Sequence, residues 1–203
     1  MTKRAKLTLG IGAILGAAAT ANLLAREWYL HWGATPEERN APLPGDEFAT
    51  RISSTRAVTI HAPVGKVWPW LAQIGQDRAG FYSYDMLEQL ALAGIHNGDE
   101  IVPEWQELAA GDTVRLASKR VYGDGPLLRV VAIEPEHYLV LDRWGAFVLR
   151  PIDDHTTRFL IRTHAQQQRT AFGRAAEVML LDPIHFLMER KMLLGLKARA
   201  EKP

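Results

Sequence analysis

Along residues 55–61 the side chains alternate, with Val58 and Ile60 apolar and Thr59 and His61 polar. That period predicts a strand with one buried face. Pro63 then suits the first turn of a helix, where its missing N–H costs nothing. Val64, Val67, Trp68, Leu71 and Ala72 recur at helical spacing on one side. Pro69 removes a bond to the turn before it, so this helix should bend or stop within a few residues. Beyond Asp112 the β-rich runs 113–117, 127–133, 138–142, 145–150 and 157–164 are separated by short turn-forming stretches. Such separations favour antiparallel hairpins over parallel crossovers. In the last run Phe159, Ile161 and Thr163 fall on one face and Arg158, Leu160 and Arg162 on the other. The chain then reads as helix over 171–181, a break or kink at Asp182-Pro183, and a second helical run. In that run Ile184, Leu187, Met188, Leu194 and Ala198 lie broadly on one side. Arg190, Lys191, Lys197 and Arg199 favour the helix macrodipole.

Between the first helix and the strands lies an insert, about residues 75–110. Tyr84, Leu87, Glu88, Leu90, Ala91 and Leu92 suggest a helix with a broad apolar face, capped at Gly94. Residues 95–105 lack a period and contain the turn markers Asn97-Gly98 and Pro103.

The N-terminus has its own pattern. Lys3, Arg4 and Lys6 precede residues 7–25, which carry no charge and end at Arg26-Glu27. As a helix that run spans about 28 Å, close to a hydrocarbon core of roughly 30 Å. Two membrane readings compete, with a soluble helix as the remaining alternative. A cleaved signal would use Ala19-Thr20-Ala21; a retained single-pass anchor would place Trp28, Tyr29 and Trp32 as interfacial aromatics. The retained anchor is the preferred reading. The basic bias then puts the N-terminus in the cytoplasm and the folded domain outside, or the domain is exported if the signal is cleaved. Gly12-x-x-x-Gly16 has helix-dimer spacing, which a run this rich in small residues also yields by chance. The chain thus divides into a membrane segment, 1–26, a connector, 27–53, and a folded domain, 54–200. In the connector Thr35-Pro36-Glu37-Glu38 carries a helix-start pattern and Leu43-Pro44-Gly45-Asp46 a turn signal.

The run Ser54–Leu71, a strand followed by Ala62-Pro63-x-x-x-Val67-Trp68-x-x-Leu71, resembles the opening of the START-like helix-grip superfamily, which includes SRPBCC and polyketide cyclase/dehydrase-type proteins. Gly80-Phe-Tyr-Ser-Tyr-Asp85, Ile95-His-Asn97, Ile101-Val-Pro-Glu104 and Gly111-Asp-Thr-Val-Arg115 resemble one uncharacterised subfamily of that group, over roughly residues 54–198. The resemblance implies an α+β fold, a curved antiparallel sheet wrapped around a long C-terminal helix, with a cavity for a hydrophobic ligand between them.

Composition narrows the function classes. The 203 residues carry a formal net charge of +1, which gives no electrostatic case for nucleic acid. The chain has no cysteine, which excludes a disulfide framework, thiolate metal sites and a cysteine nucleophile. No nucleophile elbow, phosphate loop, dinucleotide fingerprint or His-Glu-x-x-His pair occurs. No cofactor and no metal is implied. His185 and Glu189, four apart, read as a hydrogen-bonding pair before they read as metal ligands.

Candidate ligand contacts remain. Tyr82, Tyr84 and Asp85 beside apolar rings are what a mostly apolar pocket uses to orient a ligand. His96 stands near that end, with a helix-ending turn as its plainer role. Arg143-Trp144 at a cavity mouth would hold an anionic head group, against the simpler reading of a hairpin turn. Trp70, Trp105 and Met188, with Trp68, are core residues of which some must face any cavity. The leading expectation is therefore membrane-tethered binding or transport of a small hydrophobic ligand such as a lipid, isoprenoid or polyketide-like compound. A cyclase- or dehydratase-type enzyme would instead need Tyr82 and Asp85 to converge with His96 or Arg143. An interaction module with a vestigial cavity would expose an apolar patch on the insert. The oligomeric state is open.

Overall fold

A computed structural model of the chain describes residues 3–84, 96–123, 127–165 and 170–202, with the backbone alone for 3–12 and 15. The expected helix over 84–94, including Asp85, lies largely outside the described residues. The elements are α1 (Lys3–Leu30), α2 (Pro36–Asn40), β1 (Ile52–Ile60), α3 (Val64–Ala72), β2 (Thr113–Arg115) and the single turn α4 (Lys119–Tyr122). They continue with β3 (Leu127–Glu134), β4 (Tyr138–Leu141), β5 (Gly145–Asp153), β6 (Thr156–His164), α5 (Ala171–Ala176) and α6 (Asp182–Ala200). The fold is α+β. One six-stranded sheet runs in the order β1-β6-β5-β4-β3-β2 with every pairing antiparallel. As the short turns require, β3 to β6 form successive hairpins.

The sheet is covered on both faces. On the inner face Ile60, Leu139, Leu141, Phe147, Leu149, Phe159 and Ile161 meet Val67 and Leu71 of α3 and Met192, Leu193 and Leu196 of α6. On the outer face Leu43 of the connector packs with Ala57, Val140, Ala146, Val148 and Leu160. The outer layer explains why β1 departs from a strand with one buried face: Ser54, Thr55, Arg56 and Ala57 are all buried in succession. The connector is tied to that face by backbone and side chain. Ala57 N–H donates to the Trp32 carbonyl. Gly33, at φ +75°, passes so near the strand that an added Cβ would fall 2.1 Å from the Ala57 oxygen. Thr35 caps α2, with Glu38 completing the reciprocal box.

Three local expectations need correction. Pro63 is the N-cap of α3, and the helix begins at Val64 and ends three residues past Pro69. At Asp182-Pro183 the second helical run begins as expected, but no gap precedes it: Glu177–Leu181 is a π-helical turn, and the backbone stays right-handed into α6. The wider turn, placed just before Pro183, absorbs the hydrogen bond that proline cannot donate. The buried stripe of α6 is Asp182, Phe186, Glu189, Met192, Leu193 and Leu196, whereas Ile184, Leu187 and Ala198 are exposed. Apolar residues occur on both sides of this helix, so periodicity alone could not choose between them.

The N-terminal helix is longer than its apolar run and docks on the domain. Asn22 Nδ2 donates to the Val178 carbonyl at 2.9 Å, and Arg26 pairs with the buried Asp182 at 2.7 Å. Tyr29 stacks on Phe186 with centroids 5.6 Å apart, and the Arg190 guanidinium lies 4.8 Å above the Trp32 ring. Tyr29 and Trp32 are thus spent on the domain, while Trp28 stays 61% exposed. Among the described residues, no helix is long and apolar enough to cross a membrane.

Candidate functional site

The inner face carries a buried ion pair. Arg56 on β1 and Glu189 on α6 are both fully buried and form an ion pair. Arg56 Nε also donates to the Tyr29 carbonyl at 2.8 Å, and its guanidinium lies 5.5 Å from the Phe186 centroid. The other carboxylate oxygen of Glu189 accepts from Trp144 Nε1 at 3.1 Å and from Thr163 Oγ1 at 2.9 Å. His185 Nε2 stands 3.6 Å from that same oxygen, one helical turn earlier and partly exposed. Burial pushes the Glu189 carboxyl up, but Arg56, His185 and the Trp144 donor outweigh it and hold the group below the usual carboxylate range. The cluster joins α1, β1, β6, the β4–β5 turn and α6 at one site. Every polar group in it has a partner, which is the condition for burying charge without a large penalty.

A cleft of about 290 Å³ opens on the neighbouring flank of α6. Tyr82, Ser83, Tyr84, Asn97, Lys191 and Arg199 stand around it. Its floor depends on a close approach between chain segments. Gly195 lies against the Tyr82 backbone, and a Cβ there would sit 2.3 Å from the Tyr82 oxygen. Tyr82 itself holds φ +56°, a left-handed conformation that a bulky residue adopts only under tertiary constraint. Ser83 Oγ donates to the Met188 carbonyl at 3.1 Å, and the Asn97 carboxamide oxygen accepts from Phe81 N–H. Lys191 Nζ lies 5.6 Å from the Tyr84 ring centroid, and Arg199 lies 4.6 Å above the Tyr82 ring while pairing with Asp99 at 3.0 Å. The cleft is therefore ringed by Lys191, by Arg199 paired with the carboxylate of Asp99, by three hydroxyl-bearing side chains and by a carboxamide.

The residues expected to bind ligand divide between these places. Tyr84 borders the cleft. Tyr82 borders it too, but its hydroxyl is turned into the core, donating to the Trp70 carbonyl at 2.9 Å and accepting from Gln73 Nε2. Burial pushes that phenol well above its usual range. Trp70 is buried and meets Tyr82 edge to face. Trp105 packs half-buried on the main core, and Met188 is present through its carbonyl. Trp144 belongs to the Glu189 cluster, sandwiched by Phe81, Phe147 and His185. Arg143, at φ +58°, lies in the β4–β5 turn and donates to the Leu127 carbonyl. His96 is exposed, and Asp85 lies outside the described residues.

Arg56, Glu189, Lys191 and Arg199 complete the picture and were not singled out as site residues by pattern. Arg56 did leave a signal: it shares the strand face of Val58 and Ile60, and a charge in a core register implies a buried partner. Among the described residues, no group of three or more His, Asp or Glu side chains is placed to hold a metal ion.

No family model matches the sequence, and no curated protein matches it. Among solved structures, the chain is similar to the crystal structure of protein MLL2253 from Mesorhizobium loti, with 18% identity and a TM-score of 0.30, over 69% of this chain and 96% of that one. A likeness of that size carries no argument about fold or function.

Proposed function

We propose that this chain is a membrane-tethered helix-grip domain that binds a small hydrophobic ligand through its polar head group, and that the head group sits in the cleft beside α6. The cleft carries the reading: Tyr84 offers a ring face and Lys191 a cation, with Arg199 beside them in its pair with Asp99, around a space large enough for a phosphate, carboxylate or polyol head. The helix-grip assignment rests on the resemblance of residues 54–71 together with an antiparallel sheet against which α3 and a long C-terminal helix pack. The tether rests on the uncharged run 7–25 inside one continuous helix, preceded by Lys3, Arg4 and Lys6. On this reading the domain stands outside the membrane, where membrane-soluble ligands are concentrated. What weighs against a catalytic reading is that the Tyr82 hydroxyl is bonded to the Trp70 carbonyl within the core.

The test is displacement of an environment-sensitive fluorescent fatty acid from the full chain in detergent. Lys191→Glu reverses a charge at the cleft and should weaken binding of an anionic probe about tenfold, roughly 1.4 kcal/mol. Unchanged affinity in that variant, or no binding by the native chain, would overturn the reading.

A further inference from the structure

The two helices that meet at Arg26–Asp182 run side by side in the same direction. Asn22 meets Val178, Arg26 meets Asp182, and Tyr29 meets Phe186, so the two advance in step. Toward its N-terminus the C-terminal rod continues past Val178 for about 12 Å before ending near Thr170. The outer sides of this helix pair carry exposed apolar side chains, with the exposed charges of Glu27 and Arg174 among them. Leu24 lies midway between Asn22 and Arg26, half a turn from each, so it points away from the domain and is 81% exposed. Ile184 lies midway between Asp182 and Phe186 and is likewise turned outward. Trp28, Leu180 and Leu187 are exposed beside them, and Phe172, 83% exposed, stands at the far end of the rod.

Apolar side chains thus emerge on the outward faces of both helices, not in a single groove between them. A protein partner docks on one face; a lipid phase surrounds. A helix pair that shows large apolar side chains with scattered charges on its outer sides suits the boundary between acyl chains and headgroups, and the adjoining segment of α1 is the run with the length of a membrane span. We infer that Leu24, Trp28, Phe172, Leu180, Ile184 and Leu187 form a collar seated in the acyl and headgroup boundary of a bilayer, so that α5 and the start of α6 enter the lipid alongside α1. The occupant is lipid, and the Arg26–Asp182 pair sits within the collar, facing the domain. The collar rests on the tethered reading and extends it: the domain is held against the membrane at a fixed tilt by two helices and does not swing on one.

The chain has no cysteine, so single labels are clean. Phe172→Cys, Ile184→Cys and Leu187→Cys, with Ile14→Cys on the anchor and Ile152→Cys at an exposed strand end as references, are labelled with an environment-sensitive fluorophore in the full chain. Each is reconstituted into phosphatidylcholine–phosphatidylglycerol vesicles containing a nitroxide-labelled lipid. The three collar positions should be quenched several-fold more strongly than Ile152→Cys, with blue-shifted emission. Collar labels quenched no more than Ile152→Cys, while Ile14→Cys is quenched, would overturn the collar and leave the tether standing. Ile14→Cys unquenched would remove the tether itself. Collar labels shielded in detergent in proportion to protein concentration would show that a second copy covers the face and would equally overturn the inference.

Discussion

Arg56 on β1 and Arg162 on β6 lie on opposite faces of the same pair of strands, and both are almost completely buried. They are neutralised by different means. Arg56 meets one carboxylate, Glu189, deep between sheet and helix. Arg162 reaches outward and is held largely by connector backbone: it donates to the carbonyls of Glu38, Arg39 and Ala41, and to Asp46 at 2.7 Å. The inner solution is a private ion pair whose partners have no access to water. The outer solution spreads one charge over a segment of chain and so staples that segment to the sheet. The first should govern global stability, and the second the local attachment of the connector.

Breaking the inner pair gives the largest expected effect. Glu189→Ala leaves a buried, unpaired guanidinium and should cost about 3–5 kcal/mol in denaturant unfolding. The double replacement Arg56→Met with Glu189→Leu should recover most of that loss, because no charge is then stranded. A double variant as unstable as the single one would show that Arg56 contributes through Tyr29 and Phe186 and not through the pair. Arg162→Ala should cost less, about 1–3 kcal/mol, because the freed carbonyls lie nearer to solvent. Its distinguishing sign is local: amide hydrogen exchange over residues 33–48 should accelerate while the strands stay protected. Uniform acceleration across the sheet would erase the difference between the two arginines.

The smallest effect is a pH dependence that separates the faces. Burial, then Arg39, holds His31 below its ordinary value, and burial, opposed by Asp46 and aided by Arg162, does the same for His164. An unfolded chain therefore binds more protons than the native one below about pH 6.5, and stability should decline as pH falls through that point. Glu189 also titrates below its ordinary value, so its contribution is complete above about pH 4.5 and is lost only in more acid solution. His164→Asn should flatten the first decline and leave the second. A first decline that survives this change would assign it to His31 alone.

Much of this frame was legible in the sequence, and the parts that were not share a cause. The five strand runs from 113 to 164 announced themselves because short turns and alternation agree there. The face assignment of Phe159 and Ile161 against Arg158 and Arg162 followed from period two and matches the structure. Alternation failed at β1 because the connector, remote in sequence, covers the second face. Period 3.6 misassigned α6 because Ile184 and Leu187 are apolar for a reason other than the core. At the site, Tyr84 was visible as a cleft residue, but the direction of the Tyr82 hydroxyl depends on Trp70 and Gln73, and that of Arg143 on the Leu127 carbonyl. Such choices are made by tertiary neighbours, which one sequence does not display.

On the proposed reading the cleft beside α6 holds the head of a membrane-derived ligand. Native mass spectrometry of the full chain, released from membranes into mild detergent, tests it most directly. The native chain should carry a bound small-molecule adduct that is depleted in Lys191→Glu and retained in Arg143→Ala. A native chain without adduct, or an adduct that follows Arg143 and ignores Lys191, would contradict it.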